Sequence, residues 1–284
     1  AANGTSEHIL TSANAPVASG ARRASSHAAA DLTKACFLYG PPSHLAEMRY
    51  TAHYLPRMFV LLAEYTGIHF SRLFGSFHFV FIDQYIEPKV YAGLGLLSTA
   101  YLLHERDPEM LTDGIMRLVS VLASQYFGVF LVNRSWNDYW LTAGLAGYVA
   151  MVVLKTVFGN NSFRMWLHNE GRDVYEVCKS LRPVLSPKTI LNAAEVDSLV
   201  LRRKAALVMY MLVTQVDDRK DDCEESHVQA YLSKLLNSVF VLEAKLKHPD
   251  PGLCSKRVLD TPTFQKDLIQ LSHSDGKEVI EEFM

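Results

Sequence analysis

The sequence predicts a predominantly helical α+β domain, and two observations support this fold class. After Pro41, apolar residues recur at helical spacing through most of the chain, with glycine and proline between the periodic segments. One short run, residues 78–82, is instead aromatic and β-branched, which favours a strand. The 284 residues are 49% hydrophobic, which is enough for the core of one large domain.

The predicted elements begin with a helix over 57–66, which Gly67 ends in a left-handed conformation. The strand over 78–82 follows, and the apolar run 91–103 is ambiguous between strand and turn because it contains Gly93 and Gly95. Residues 135–138 predict a capping box in which the Ser135 oxygen accepts from the Asp138 amide. Further helices are predicted over 113–127, 139–158, 162–180, 193–216, 226–248 and 261–273.

Composition excludes several classes of protein. With 28 Lys and Arg against 30 Asp and Glu, the chain is not a polybasic nucleic-acid binder. The longest uncharged stretches, 118–133 and 139–154, are shorter than the roughly 20 residues of a membrane span, so we expect buried core helices and no membrane partner. The four cysteines form no C-x-x-C pair and indicate reduced thiols.

Domain organisation follows from composition as well. Residues 1–35 are rich in alanine and serine and lack apolar surface, which predicts a flexible lead-in. Residues 36–284 are predicted to form a single domain. No two histidines stand four residues apart, and no nucleophile elbow or phosphate loop is present. The residue inventory alone therefore indicates a helical domain without an assembled catalytic site.

Two segments at a fixed distance resemble the gluzincin aminopeptidases. In that family a helix carries H-E-x-x-H, commonly followed by Q-W-F-G, and the glutamate of W-L-N-E-G supplies the third zinc ligand. Residues 122–128 and 136–144 match this frame, and eighteen residues separate Ser124 from Ala143, as the family requires. The resemblance implies a thermolysin-like fold over roughly residues 56–284.

The resemblance also implies that the zinc site is degenerate. The two histidine positions hold Ser120 and Ser124, the glutamate base position holds Val121, and the third ligand position holds Ala143. Serine hydroxyls are poor zinc ligands, and alanine and valine offer no donor or base. We therefore expect no zinc, no other cofactor and no catalysis.

Two further motifs of the family also lack their functional residues in this sequence. The Y-x-K-G motif corresponds to residues 202–205, which places Arg202 at the catalytic tyrosine position. A guanidinium pointing into a vacated pocket is expected to contact a carboxylate or carbonyl groups there. The G-A-M-E-N motif resembles residues 93–97, which places Leu96 at the glutamate position and removes the group that recognises the substrate amine.

One branch of the family matches most closely, through residues 79–84, 102–104, 136–140 and 158–161. These residues resemble the branch that supplies a TBP-associated factor to the general transcription factor TFIID. That resemblance implies a nuclear, non-catalytic scaffold whose partners are other TBP-associated factors and TBP. Promoter DNA at the initiator is contacted through the whole complex, and no small-molecule substrate is implied. Two alternatives stay open: an inactive aminopeptidase-like protein that binds peptide termini, and an unrelated helical interaction domain.

Overall fold

The structure, a computed structural model, describes residues 36–84, 86–107, 110–181, 185, 198–217, 227–245 and 258–271. The predicted lead-in over residues 1–35 lies outside these residues. Within them, the chain forms a small mixed sheet against which a larger layer of helices packs. This arrangement is the predominantly helical α+β class that the sequence predicts.

The sheet has the strand order β1 (Cys36–Tyr39), β2 (Phe77–Ile82), β4 (Leu94–Ser98), β3 (Lys89–Tyr91). β1, β2 and β4 are parallel, whereas β3 runs antiparallel to β4 at the edge. In β2 the phenylalanines alternate inward and are buried, which is the period of two that a half-covered sheet requires. The predicted strand over 78–82 is thus confirmed. Within the run 91–103, which the sequence left ambiguous between strand and turn, β4 follows a turn in which Gly93 has φ 68°.

The helices, with their bounds, are α1 (Leu45–Thr66), α2 (Phe70–Phe74), α3 (Leu111–Tyr126), α4 (Tyr139–Leu181), α5 (Leu199–Asp217), α6 (His227–Lys245) and α7 (Thr261–Leu271). A short parallel pair, β5 (Val132–Asn133) and β6 (Val258–Leu259), ties the end of the α3 segment to the start of α7. α4 packs on α3 along one side and on α5 along the other. These three helices form the centre of the core.

Glycines end or interrupt helices where the sequence predicts them. Gly67 caps α1 with φ 73° and donates its amide to the Ala63 carbonyl at 2.9 Å. Gly159, with φ 81° and ψ 170°, breaks α4 between the two predicted helices. α1, however, begins at Leu45, which is twelve residues before its predicted start, and Pro56 lies inside it. Burial of its apolar face, including Met48 and Leu55, outweighs the backbone hydrogen bond that proline removes.

The predicted capping box before α4 is wrong. Residues Trp136–Asp138 form a 3₁₀ turn, and the Asp138 amide donates to the Ser135 backbone carbonyl at 3.1 Å. The Ser135 hydroxyl instead donates to the Asp138 carboxylate at 2.7 Å. That carboxylate also accepts the amide and hydroxyl of Thr261, at 3.0 and 2.7 Å, so it links the start of α4 to α7.

The long apolar helix is a core element. Among the described residues, Trp136–Ser180 is the one helical stretch long and apolar enough to cross a membrane by length and composition. Of its most apolar 18-residue window, 61% is buried inside the protein, where α4 contacts α3 and α5. That burial accounts for its apolar character, as the sequence predicts.

Candidate functional site

A cavity of about 500 Å³ lies between β3, α3, α4 and α5. Its wall includes Ser120, Val121 and Ser124 from α3, Ala143 from α4 and Arg202 from α5. The structure therefore brings together all five positions that the resemblance marks as altered catalytic positions. Residues four apart on a helix share a face, which explains why Ser120 and Ser124 point to the same space.

The two serines are bonded to their own helix. The Ser120 hydroxyl donates to the Met116 carbonyl and the Ser124 hydroxyl donates to the Ser120 carbonyl, each at 2.7 Å. This back-bonding is the usual arrangement of serine inside a helix. Between them Val121 is 2% exposed and presents only methyl groups. This face of α3 therefore offers neutral hydroxyl oxygens and hydrocarbon.

The strand that borders the cavity is β3, not the one that the motif comparison indicated. A Cβ on Gly95 would lie 2.7 Å from Cγ1 of Val121, so β4 approaches α3 closely at Gly95. Its neighbour Leu96 faces the opposite side of the sheet and is not among the residues that line the cavity. Lys89, Val90 and Tyr91 of β3 line it instead. Leu96, which the motif comparison places at the glutamate position, therefore does not line this cavity.

Gln125 was missed by the sequence analysis. Its side chain is fully buried, accepts the Gly93 amide at 3.1 Å and donates to the Tyr91 carbonyl at 3.0 Å. One side chain thereby satisfies two backbone groups of the turn between β3 and β4, next to the cavity. The available signal was an amide side chain within an uncharged stretch of α3, since a buried amide requires partners.

On the other side, α4 and α5 approach each other through small residues. A Cβ on Gly144 would lie 2.9 Å from the Ala205 carbonyl oxygen, and one on Gly147 would lie 2.4 Å from Cβ of Ala206. Ala205 belongs to the segment that resembles Y-x-K-G. The close contact brings Arg202, one turn earlier on α5, to the wall of the cavity.

Arg202 is half-buried, and its guanidinium is held by two oxygens. Its Nε donates to the Tyr139 hydroxyl at 2.9 Å, and its Nη1 donates to the Pro88 carbonyl at 3.3 Å. The expectation that this guanidinium contacts a carbonyl group in the pocket is therefore confirmed. The two bonds connect α5 to the start of α4 and to the segment that leads into β3.

Next to Arg202, Arg203 and Glu170 form a bidentate ion pair, which was also not predicted from the sequence. Arg203 Nη2 donates to one Glu170 oxygen at 2.6 Å, and its Nε donates to the other. Their side chains are 22% and 13% exposed. The hydrogen bond with Glu170 raises the pKa of the Arg203 guanidinium, so this guanidinium stays protonated.

Basic groups outnumber acidic groups on the described wall of the cavity. The described wall contains two acidic side chains, Asp113 and Glu170, and four basic ones, Lys89, Arg117, Arg202 and Arg203. In the part of the chain that the structure describes, no three His, Cys, Asp or Glu side chains are grouped so that they could hold a metal ion. The described wall therefore carries more basic than acidic side chains, and one of the basic ones, Arg203, is paired with Glu170.

No protein-family model matches the chain. In sequence, it is similar to proteins named transcription initiation factor TFIID subunit 2. The identity is 30% over 161 residues with the Danio rerio protein, 34% over 133 with the Gallus gallus protein and 28% over 176 with the Schizosaccharomyces pombe protein. These alignments cover 55%, 45% and 61% of this chain but only 13%, 11% and 15% of the relatives.

In structure, the chain is similar to a leukotriene A4 hydrolase and to an M1 zinc metallopeptidase. Leukotriene A4 hydrolase from Saccharomyces cerevisiae superposes with a TM-score of 0.63 at 15% identity, over 88% of this chain and 36% of that one. The M1 zinc metallopeptidase from Deinococcus radiodurans gives 0.53 at 14% identity, over 87% and 47%. The chain is thus similar in sequence to TFIID subunit 2, and its fold is the aminopeptidase-like fold of the M1 zinc peptidases.

Proposed function

We propose that this chain is a non-catalytic scaffold region of a TFIID subunit, which supports assembly of the complex and recognition of the core promoter at the initiator. Its partners are other TBP-associated factors and TBP, and its location is the nucleus. Promoter DNA is contacted through the complex, because a net charge of −2 gives the chain no positive field of its own. Similarity to proteins named TFIID subunit 2 supports this assignment.

The chemistry of the cavity wall carries the non-catalytic part of the proposal. Hydrolysis of a peptide by zinc requires imidazole or carboxylate ligands and a base that takes a proton from the bound water. Ser120 and Ser124 present neutral hydroxyls, Val121 presents methyl groups, and Ala143 presents a single methyl group. We infer that these are vestigial catalytic positions, retained for packing around a cavity that has no catalytic role.

Affinity capture tests the assembly part. The tagged full-length protein is purified from nuclear extract at near-physiological salt, and the bound proteins are identified by mass spectrometry. We expect TBP and several TBP-associated factors to be enriched over a tag-only control. Recovery of the protein without other TFIID subunits would contradict the proposal.

Hydrolysis assays test the non-catalytic part independently. The purified chain is incubated with aminoacyl coumarin amides, and Ser124→Ala is assayed beside it because Ser124 is one of the two serines on the described wall of the cavity. We expect no turnover above the blank with either protein. Turnover that a zinc chelator abolishes, or that Ser124→Ala abolishes, would refute this part.

A further inference from the structure

We propose that Ser76 is a nucleophile that accepts an acyl group from an aryl ester, with His78 as its base. Ser76 immediately precedes β2 and His78 lies within it, both on the face of the sheet opposite the buried phenylalanines of that strand. Neither residue lines the cavity. The inference therefore goes beyond the proposed function and does not depend on membership of TFIID.

The side chains of Ser76, His78 and Tyr39 form a hydrogen-bonded series. The Ser76 hydroxyl lies 3.1 Å from His78 Nε2, and the Tyr39 hydroxyl on the neighbouring strand β1 lies 3.2 Å from His78 Nδ1. We assign the imidazole proton to Nδ1, where it is donated to the Tyr39 oxygen. Nε2 is then unprotonated and accepts the hydrogen of the Ser76 hydroxyl. A nucleophile, its base and a group that orients the base are thus in contact.

The imidazole ring is held in place by aromatic stacking as well. The Phe37 ring lies parallel to it, with centroids 5.1 Å apart and planes at 14°. The Tyr39 ring stacks on it at 5.8 Å and 21°. Phe37 and His78 are register partners in the parallel pair of β1 and β2, which explains the first contact. A base must lie within hydrogen-bond reach of the proton that it takes, and these contacts keep His78 there.

The backbone before Ser76 has an uncommon conformation. Gly75 has φ 71° and ψ −58°, and the Ser76 amide donates to the Phe74 carbonyl at 2.8 Å. These values describe the rare, strained γ-turn with positive φ. On the other side, the His78 amide donates to the Gly93 carbonyl at 2.8 Å, which fixes the strand beside the turn. Strained turns of this kind are enriched where they orient a functional side chain, here the Ser76 hydroxyl.

The Ser76 hydroxyl differs from those of the two cavity serines. Ser120 and Ser124 donate to carbonyl oxygens of their own helix, which are too weakly basic to take a proton. An imidazole nitrogen is basic enough to do so near neutral pH. Ser76 is also partly exposed, so a small ester can approach it from solvent. Among these three serines, Ser76 therefore has the environment of an activated nucleophile.

An aryl ester is the acyl donor that this arrangement suits. The Ser76 oxygen forms a bond to the ester carbonyl carbon, and His78 Nε2 takes the hydroxyl proton. The bond from that carbon to the phenolic oxygen then breaks, and the phenol leaves with the proton from His78. The products are O-acylated Ser76 and a free phenol. A phenolate is a much weaker base than the amine of a peptide, so its release requires less stabilisation of charge.

Peptide mapping after incubation with p-nitrophenyl acetate tests this proposal. The purified full-length protein is treated with the ester, the release of p-nitrophenol is followed, and acetylated residues are identified by mass spectrometry. We expect an acetyl group on Ser76. We expect none on Ser180, an exposed serine whose hydroxyl donates to the Val177 carbonyl at 2.9 Å.

Variants separate the roles of the three side chains. Ser76→Ala should abolish acetylation at this site, and His78→Gln should slow it about a hundredfold, as expected for loss of a general base. Tyr39→Phe keeps the stacked ring but removes the hydroxyl, and should slow acetylation about threefold to tenfold. Ser180→Ala should leave the rate at Ser76 unchanged. Thermal unfolding of each variant shows whether it is folded.

The pH dependence of the natural sequence provides a test that requires no substitution. The rate of acetylation at Ser76 should rise with pH across the range in which imidazoles lose their proton, and then level off. In folded His78→Gln this rise should be absent. A structural role of His78 alone would not produce such a profile.

Several outcomes would overturn the proposal. These are acetyl groups confined to lysine side chains, equal acetylation of Ser76 and Ser180, an unchanged rate in folded His78→Gln, and a rate at Ser76 without the expected pH profile. Because peptide amides have the poorer leaving group, these outcomes are independent of the hydrolysis assays above. They are equally independent of whether the protein co-purifies with TFIID.

Discussion

Replacement of Gly147 by alanine should destabilise the protein through the contact between α4 and α5. The new Cβ would lie 2.4 Å from Cβ of Ala206, whereas carbon atoms in contact normally lie about 3.5–4.0 Å apart. The two helices must therefore separate by about 1 Å, and such overpacking costs about 1–3 kcal/mol. Alanine recovers up to about 1 kcal/mol through its higher helix propensity. We expect the free energy of unfolding to fall by about 1–2 kcal/mol.

Urea unfolding of a double-mutant cycle measures this effect. The second substitution, Ala206→Gly, removes the atom that the new methyl group would meet. Alone it should cost about 1 kcal/mol through helix propensity. In Gly147→Ala/Ala206→Gly, the loss should be smaller than the sum of the single losses by about 1 kcal/mol or more. Gly171→Ala is the matched control, because a Cβ at Gly171 meets no atom within 4 Å and should leave stability unchanged or slightly higher.

Stability of Gly147→Ala equal to that of the natural sequence would refute this prediction. It would be refuted equally by additive losses in the double variant, since additivity would mean that the two side chains do not meet. Either result would imply that α4 and α5 are farther apart than the structure places them, and that Arg202 does not reach the cavity as described.

Two further predictions concern polar groups next to the core. Gln125→Leu leaves the Gly93 amide and the Tyr91 carbonyl without their side-chain partner, so we expect a loss of about 2–4 kcal/mol in urea unfolding; a loss under about 0.5 kcal/mol would contradict this. Burial alone raises the pKa of Asp138, but hydrogen bonds from Ser135 and Thr261 outweigh it and hold that pKa below its ordinary value. A carboxylate whose pKa is lowered by folding stabilises the protein fully above its unfolded pKa of about 3.9, and this contribution decreases as the pH falls below that value. Asp138→Asn should therefore be less stable than the natural sequence at pH 7 and approach it in stability near pH 2, which urea unfolding at several pH values measures; parallel stability profiles would refute this.

The sequence predicted the long periodic elements well. α3 and α4 lie close to their predicted bounds, because their apolar residues follow the helical period and Gly128 follows the end of α3. The break at Gly159 was predictable for the same reason. β1 and α2 were missed, since four or five residues are too few to establish a period. β5 and β6, of two residues each, depend on pairing between distant segments and have no local signal.

The sequence predicted those parts of the site that depend on a fixed spacing between motif residues. Ser120, Val121, Ser124, Ala143 and Arg202 were all located from motifs that resemble those of the family. Leu96 does not line the cavity, because neighbouring residues of a strand face opposite sides and Gly95 beside it faces α3. The Arg203–Glu170 pair joins α5 to α4 and could not be read from either segment alone.

The zinc content of the purified protein tests the central claim most directly. The natural sequence is compared, by elemental analysis after dialysis against zinc-free buffer, with the variant Ser120→His/Val121→Glu/Ser124→His/Ala143→Glu, which restores donors at four positions of one cavity. We expect less than about 0.1 zinc per chain in the natural sequence and about one in the variant, because imidazole and carboxylate donors hold zinc where hydroxyl and methyl groups do not. A natural sequence that retains about one zinc per chain would contradict the account.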